Sequence, residues 1–161
     1  MEAHEECIDD SEIEFTIADM TAPESRAWTR AGFQLEGGNA DEVYLFEYLP
    51  LQRRVRILVA ENDRSWFAQK RSITGVDLPL KVRVHQRTVS DIHEITTEYD
   101  TTGDGEFDRT HFWIFGDQSE DSTFITNFAQ ECNWSLFSTS RHEQDSAEAA
   151  FHDVDVIRPI Q

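Results

Sequence analysis

From Val43 to Phe115 apolar and polar residues repeatedly trade places with a period of two. That period constrains the fold more than any other feature, because a strand shows alternate side chains to opposite faces and a helix does not. The segments Val43–Tyr48, Val55–Ala60, Trp66–Gln69, Leu80–Val89, Ile92–Tyr99 and Phe107–Phe115 read as strands rich in β-branched and aromatic residues. Glu12–Ala18 alternates in the same way, and Trp134–Ser138 and Phe151–Ile157 supply the last strands. Their connections are too short for repeated helical crossovers, which favours antiparallel pairing. The expected fold is mainly β: an antiparallel sandwich or small barrel, jelly-roll-like, with two short helices.

Those two helices come from local signals. Thr21-Ala22-Pro23-Glu24 reads as a capping box, with the helix running to about Ala31 and Gly32 as its left-handed stop. In Asp121–Cys132 the residues Phe124, Ile125, Phe128 and Cys132 follow helical spacing. No internal repeat or Gly/Ser/Pro linker divides the chain. Residues 1–11 read as a polar arm and residues 12–161 as a single compact β-rich domain.

The chain carries 32 acidic and 14 basic residues in 161, a formal net charge of −18. Its 11 Phe and 4 Trp are too many for a disordered acidic tail. No apolar run approaches the roughly 20 residues of a helical membrane span; Phe112-Trp113-Ile114-Phe115 is among the longest. Charge is segregated: net −11 over residues 1–52, +6 over 53–88 and −13 over 89–161. Lys81, Arg83, His85 and Arg87 alternate with Leu80, Val82 and Val84, so part of the basic segment is a stripe on one strand face. Interleaved aromatics for base stacking are missing, and phosphate contacts weaken with salt, so nucleic acid is not an expected partner. The stripe either pairs with the chain's own carboxylates or meets the acidic face of a neighbouring subunit.

Of the 14 cations 12 are arginine; only Lys70 and Lys81 are lysine. This acidic, lysine-poor balance resembles the proteins of salt-in halophiles, the haloarchaea and their viruses. In molar salt the Debye length is about 3 Å, so excess charge costs little. At low salt the same charges repel and loosen the compact state.

Asp100-Thr101-Thr102-Gly103-Asp104-Gly105-Glu106-Phe107-Asp108 resembles the Asp-rich calcium loops of EF-hands and dockerins. The resemblance places Asp100, Thr102 and Asp104 on the first, third and fifth ligand positions. It places Gly105 on the turn, Glu106 on the backbone-carbonyl position and Asp108 on the ninth. Thr102 departs from the usual Asp or Asn, and His111 stands where a bidentate Glu belongs. The other reading is a β-hairpin, with Ile92–Asp100 paired to Glu106–Phe115 around the loop. His85, His93 and His111 lie on strands without metal-site spacing. Cys7 and Cys132 either pair or stay reduced, the latter being the default in a cytosolic setting. Asn133-Trp134-Ser135 fits a glycosylation pattern, but the acidic start Met1–Glu6 lacks the basic and apolar regions of a signal peptide.

No nucleophile elbow, phosphate loop or dinucleotide fingerprint is present. The expected function is therefore structural: an assembly component of a halophile, most concretely a capsid or capsid-associated protein, located in host cytoplasm or virion. Its protein partners, in a homo- or hetero-oligomer, would meet Arg54, Arg56, Lys81, Arg83 and Arg87. The alternative is a calcium-binding interaction module built on residues 100–108, and an enzyme ranks third.

Overall fold

The computed structural model describes residues 3–6, 10–21, 29–37, 43–60, 67–89, 92–115, 132–139 and 148–157. Eleven strands run in chain order: β1 (Ala3–Glu6), β2 (Ser11–Thr21), β3 (Arg30–Gly37), β4 (Val43–Leu49), β5 (Arg54–Ala60), β6 (Ala68–Thr74), β7 (Leu80–Val89), β8 (Ile92–Tyr99), β9 (Arg109–Phe115), β10 (Cys132–Thr139) and β11 (Glu148–Ile157). They form two sheets, ordered β1-β10-β3-β4-β5-β6 and β11-β2-β7-β8-β9. All nine pairings are antiparallel.

The sheets stack face to face as a β-sandwich. Phe15, Ile17, Leu80, Val82, Val84, Ile95, Tyr99 and Phe115 of one sheet meet Phe33, Leu35, Tyr44, Phe46, Val55, Ile57 and Val59 of the other. Aromatic pairs cross the gap: Phe15 stacks on Phe33 with centroids 6.0 Å apart, and Phe46 meets Tyr99 edge-on at 5.3 Å. This is the inward half of each alternating strand, as the period-two pattern requires. Strand β4 departs from alternation. All seven of its residues are buried, because both of its faces are covered.

Among the described residues there is no helix, and so none long and apolar enough to cross a membrane. The expected first helix is corrected at its C-terminal end. Thr21 ends β2, and Arg30–Gly37 is a strand whose Ala31, Phe33 and Leu35 point into the core. Gly32 is not a helix stop but a mid-strand glycine opposite Glu47 and Phe137. A Cβ there would run into the Phe46 carbonyl oxygen and lie 2.8 Å from Glu47 Cα. The glycine serves the close approach of β4, one of the few uses of glycine inside a strand. Residues 22–28 lie outside the described residues. So does 121–131 of the expected second helix, whose last residue, Cys132, opens β10.

Part of the 1–11 segment is a strand: β1 pairs with β10 through Ala3↔Leu136 to Glu6↔Asn133. The β4–β5 turn is clamped to the β6–β7 loop. Arg53, at φ 48°, donates from Nε and Nη2 to Asp77 at 2.6 and 2.7 Å, Val76 N donates to Arg53 O, and Tyr48 Oη donates to Val76 O.

Candidate functional site

Four polar constellations carry the residues that the sequence singles out. The first is the outer face of β2, β7 and β8. Antiparallel register sets Glu14 opposite Arg83, Arg83 opposite Glu98, and Arg87 opposite Glu94. Side chains directly across a pleated pair lie within reach of each other. Arg83 accordingly binds Glu98 at 2.5 Å and approaches Glu12 at 3.7 Å. Arg87 binds Glu94 at 2.5 Å, and Lys81 reaches Glu14 at 3.4 Å. His85 pairs with Asp10 at 2.7 Å. The Phe107 ring lies under both Lys81 and Arg83, at 5.0 and 4.6 Å. The hydrogen bond to Glu98 is the main reason that the Arg83 guanidinium is held above its ordinary range. The stripe is a ladder with its own chain.

The second constellation lies on the other sheet, on the face turned away from the core. Glu47 is fully buried in the middle of β4. One oxygen accepts from Arg30 Nη1 at 2.6 Å, the other from Arg56 Nε at 2.6 Å and from Arg56 Nη2. Arg30 is about a third exposed (35%) and lies 5.7 Å from the Phe137 ring centre. Arg54, one strand position from Val55, has a buried Nε without a hydrogen-bond partner among the described residues. The sequence places Arg54 and Arg56 together as an outward pair. The structure separates their roles, because only Arg56 faces a carboxylate across the β4–β5 register.

The third is the loop from Asp100 to Asp108. Strands β8 and β9 pair as a hairpin, from Tyr99↔Arg109 to His93↔Phe115. Asp100 is buried and accepts from Thr102 N, Gly103 N, Gly105 N and the Thr102 hydroxyl at 2.7–3.0 Å. Burial pushes its carboxyl upward. The amides of Gly105, Thr102 and Gly103 outweigh that and hold it below the ordinary carboxylate range. Asp104 accepts from Glu106 N at 2.9 Å, and Asp108 from Thr101 N at 2.6 Å and from the Thr101 hydroxyl. Gly103 and Gly105, at φ 78° and 89°, supply the left-handed turns that aim the amides inward. The carboxylates that the spacing aligns for a cation are bonded to the loop itself. No group of three or more His, Cys, Asp or Glu with metal-holding geometry occurs among the described residues.

The fourth constellation joins His111, which the sequence names, to Tyr44 and Thr97, which it does not. Tyr44 Oη, buried between the sheets, lies 2.8 Å from Thr97 Oγ1 and 3.1 Å from His111 Nδ1. Burial raises the Tyr44 hydroxyl well above its ordinary range, so it stays protonated and serves as a link, not a base. His111 is held below its usual value by burial and by Arg71 and Lys70 nearby. His93, fully buried on the same sheet, is pushed down to about 3 by burial. His93 and His111 thus point into the core while His85 points out. The three do not meet. Between Phe33, Leu35, Val84, Gln86 and Trp134 lies a cavity of about 10 Å³, the space of one water.

No protein family and no curated protein matches the chain. Solved structures are similar in fold. Sheep galectin-11 in complex with glycerol shares 6% identity, 98% of this chain and 96% of that one, at a TM-score of 0.50. Scytalido-glutamic peptidase with a peptide-based transition-state analogue shares 13% identity, 92% of this chain and 73% of that one, at 0.52. The carbohydrate-binding module CBM66 from Bacillus subtilis shares 17% identity, 97% and 78%, at 0.46. The likeness to the galectin and the peptidase agrees with the β-sandwich described above, a fold that hosts binding modules and enzymes alike and selects neither.

Proposed function

We propose that the chain is a structural module that acts by protein–protein contact in a salt-rich setting, a component of a halophile's particle or assembly being its most concrete form. One observation carries this reading. The surface is dense with charge, yet strand β9, a sheet edge among the described residues, presents an uncharged run, Thr110 to Phe115, with Phe112 52% exposed. An exposed apolar strand edge is a template for another chain. The basic stripe is not that contact. Its cations are matched to Glu12, Glu14, Glu94 and Glu98 of the same chain, which leaves contact specificity to other surfaces. Mass measurement across protein concentrations in molar KCl tests the proposal; a defined oligomer is expected, and a strict monomer would refute homo-assembly. Dilution of KCl to tens of millimolar should also lower the melting temperature steeply, since −18 charges are then unscreened.

A second reading is a module for a polar ligand. The part-exposed Arg30 guanidinium, oriented by Glu47 and set beside Phe137, offers donors next to an aromatic face. The structurally similar proteins include one named as a carbohydrate-binding module and a galectin. A melting-temperature increase with an oligosaccharide panel, lost in Arg30→Ala, would favour it over assembly.

A further inference from the structure

We propose that β9 is the self-association edge of this chain: two copies pair antiparallel across a two-fold axis at Phe112 and join their five-stranded sheets into one of ten strands. This rests on the assembly reading above and names the partner. The argument begins with a comparison of edges. Four strands end the two sheets among the described residues: β1, β6, β9 and β11. Natural edges are blunted by charge, proline, bulges or shortness. β1 has four residues, two of them glutamate. β6 carries Lys70 and Arg71 at its centre, and its pairing with β5 is shifted at Ile57/Leu58. β11 has register shifts at Ala150/Phe151 and His152/Asp155, with Asp153 at φ 53° and Asp153 and Asp155 exposed.

β9 has none of these devices from Thr110 to Phe115. Its register with β8 is unbroken over seven residues, and it contains no proline or glycine. Its outward positions are Thr110, Phe112 and Ile114. The charges on its flank and on the neighbouring strand β8 have partners within the chain. Arg109 lies 3.8 Å from Asp108, Glu94 opposite Ile114 binds Arg87, and Glu98 opposite Thr110 binds Arg83. Lys70 sits over the Trp113 ring at 4.5 Å.

An edge whose own outward positions carry no charge gives a charged segment no complement in register. A second β9 matches it. The two-fold axis sets Phe112 against Phe112 of the second copy and Thr110 against Ile114 in both directions. That covers the exposed phenyl ring and places no like charges opposite each other. At molar salt the bodies, each at −18, approach within a Debye length of about 3 Å without large repulsion.

Sedimentation equilibrium in molar KCl tests the pairing, with wild type, Phe112→Lys and Val154→Lys, the last on the already blunted β11 edge. Wild type and Val154→Lys are expected at twice 18.7 kDa. Phe112→Lys is expected to raise the monomer–dimer midpoint about thirtyfold or more, the size of a hot-spot loss. Phe112→Thr, which keeps strand preference, repeats the test if the lysine lowers the melting temperature. A defined wild-type oligomer that survives both Phe112 variants would overturn the β9 edge and leave the assembly reading standing. A wild type that stays monomeric at every concentration would overturn both. Open-ended aggregates abolished by Phe112→Lys would mark an unprotected edge only and overturn the two-fold dimer.

Discussion

The outer faces of the two sheets use one chemistry, arginine against glutamate on adjacent strands, to different ends. On β2, β7 and β8 the pairs lie in the open: Arg83 and Glu98 are each about a third exposed, and Arg87 is half exposed. On β3, β4 and β5 a single glutamate with no solvent exposure holds two arginines. Water solvates the open pairs whether or not they meet, so each contributes little. Glu47 has lost its water, and its two guanidiniums replace the hydration shell. The pair gains little over an apolar replacement, but removing one member is costly. Exposure decides what the same ion pair does.

Substitutions sharpen that contrast. Glu47→Ala leaves two half-buried cations without their anion and should cost about 3–5 kcal/mol by denaturant titration in molar KCl. A loss below about 1 kcal/mol would show that the two faces are equivalent after all.

The next effect is one of pH. His93 has an ordinary value of 6.5 and is pushed down to about 3 in the fold. The unfolded chain therefore takes up its proton first. Its contribution is complete above about 6.5 and lost as pH falls towards 3. Between pH 7 and 4.5 that loss should reach about 2–3 kcal/mol. His93→Leu should flatten this limb; an unchanged acid limb would assign it to other groups.

Asp100→Asn should cost about 1–2 kcal/mol in calcium-free buffer, because an NH2 group replaces Oδ2, the acceptor of the Gly105 amide, and the charge that the other loop donors face is lost. A cost that appears only when calcium is added would return the loop to the cation reading. The smallest effect is expected for the open ladder. A double-mutant cycle on Arg83 and Glu98 should give a coupling of about 0.2–1 kcal/mol in low salt, fading as KCl rises.

Much of the fold is legible in the chain. Glu12–Ala18 and Leu80–Val89 alternate plainly, and both are strands with the expected faces inward. β3 is not read correctly, because the Thr21–Glu24 capping pattern and Gly32 compete with the alternation of Ala31, Phe33 and Leu35. Local signals favoured a helix there; burial between β10 and β4 favours the strand. Of the site residues, the partners of the basic stripe were open to view only as a class. Register chooses Glu98 for Arg83 and Glu94 for Arg87, and register is a long-range property. Glu47 did have a signal. It is a lone charge within Val43–Leu49, followed by Arg54 and Arg56 on the next strand. The link of Tyr44 to Thr97 and His111 had none: those two are register partners on the β8–β9 hairpin, but Tyr44 of the other sheet reaches them only when the sheets stack.

By itself the sequence determined the strand class, the inward faces and the excess of negative charge. These follow from the local pleat and from composition, and neither depends on which segments meet. The tertiary structure alone decided which glutamate meets which arginine, that Asp100 caps its own loop, and that β9, with an uncharged run, ends a sheet among the described residues. Those outcomes depend on register, burial and sheet order, and only the closed sandwich sets all three.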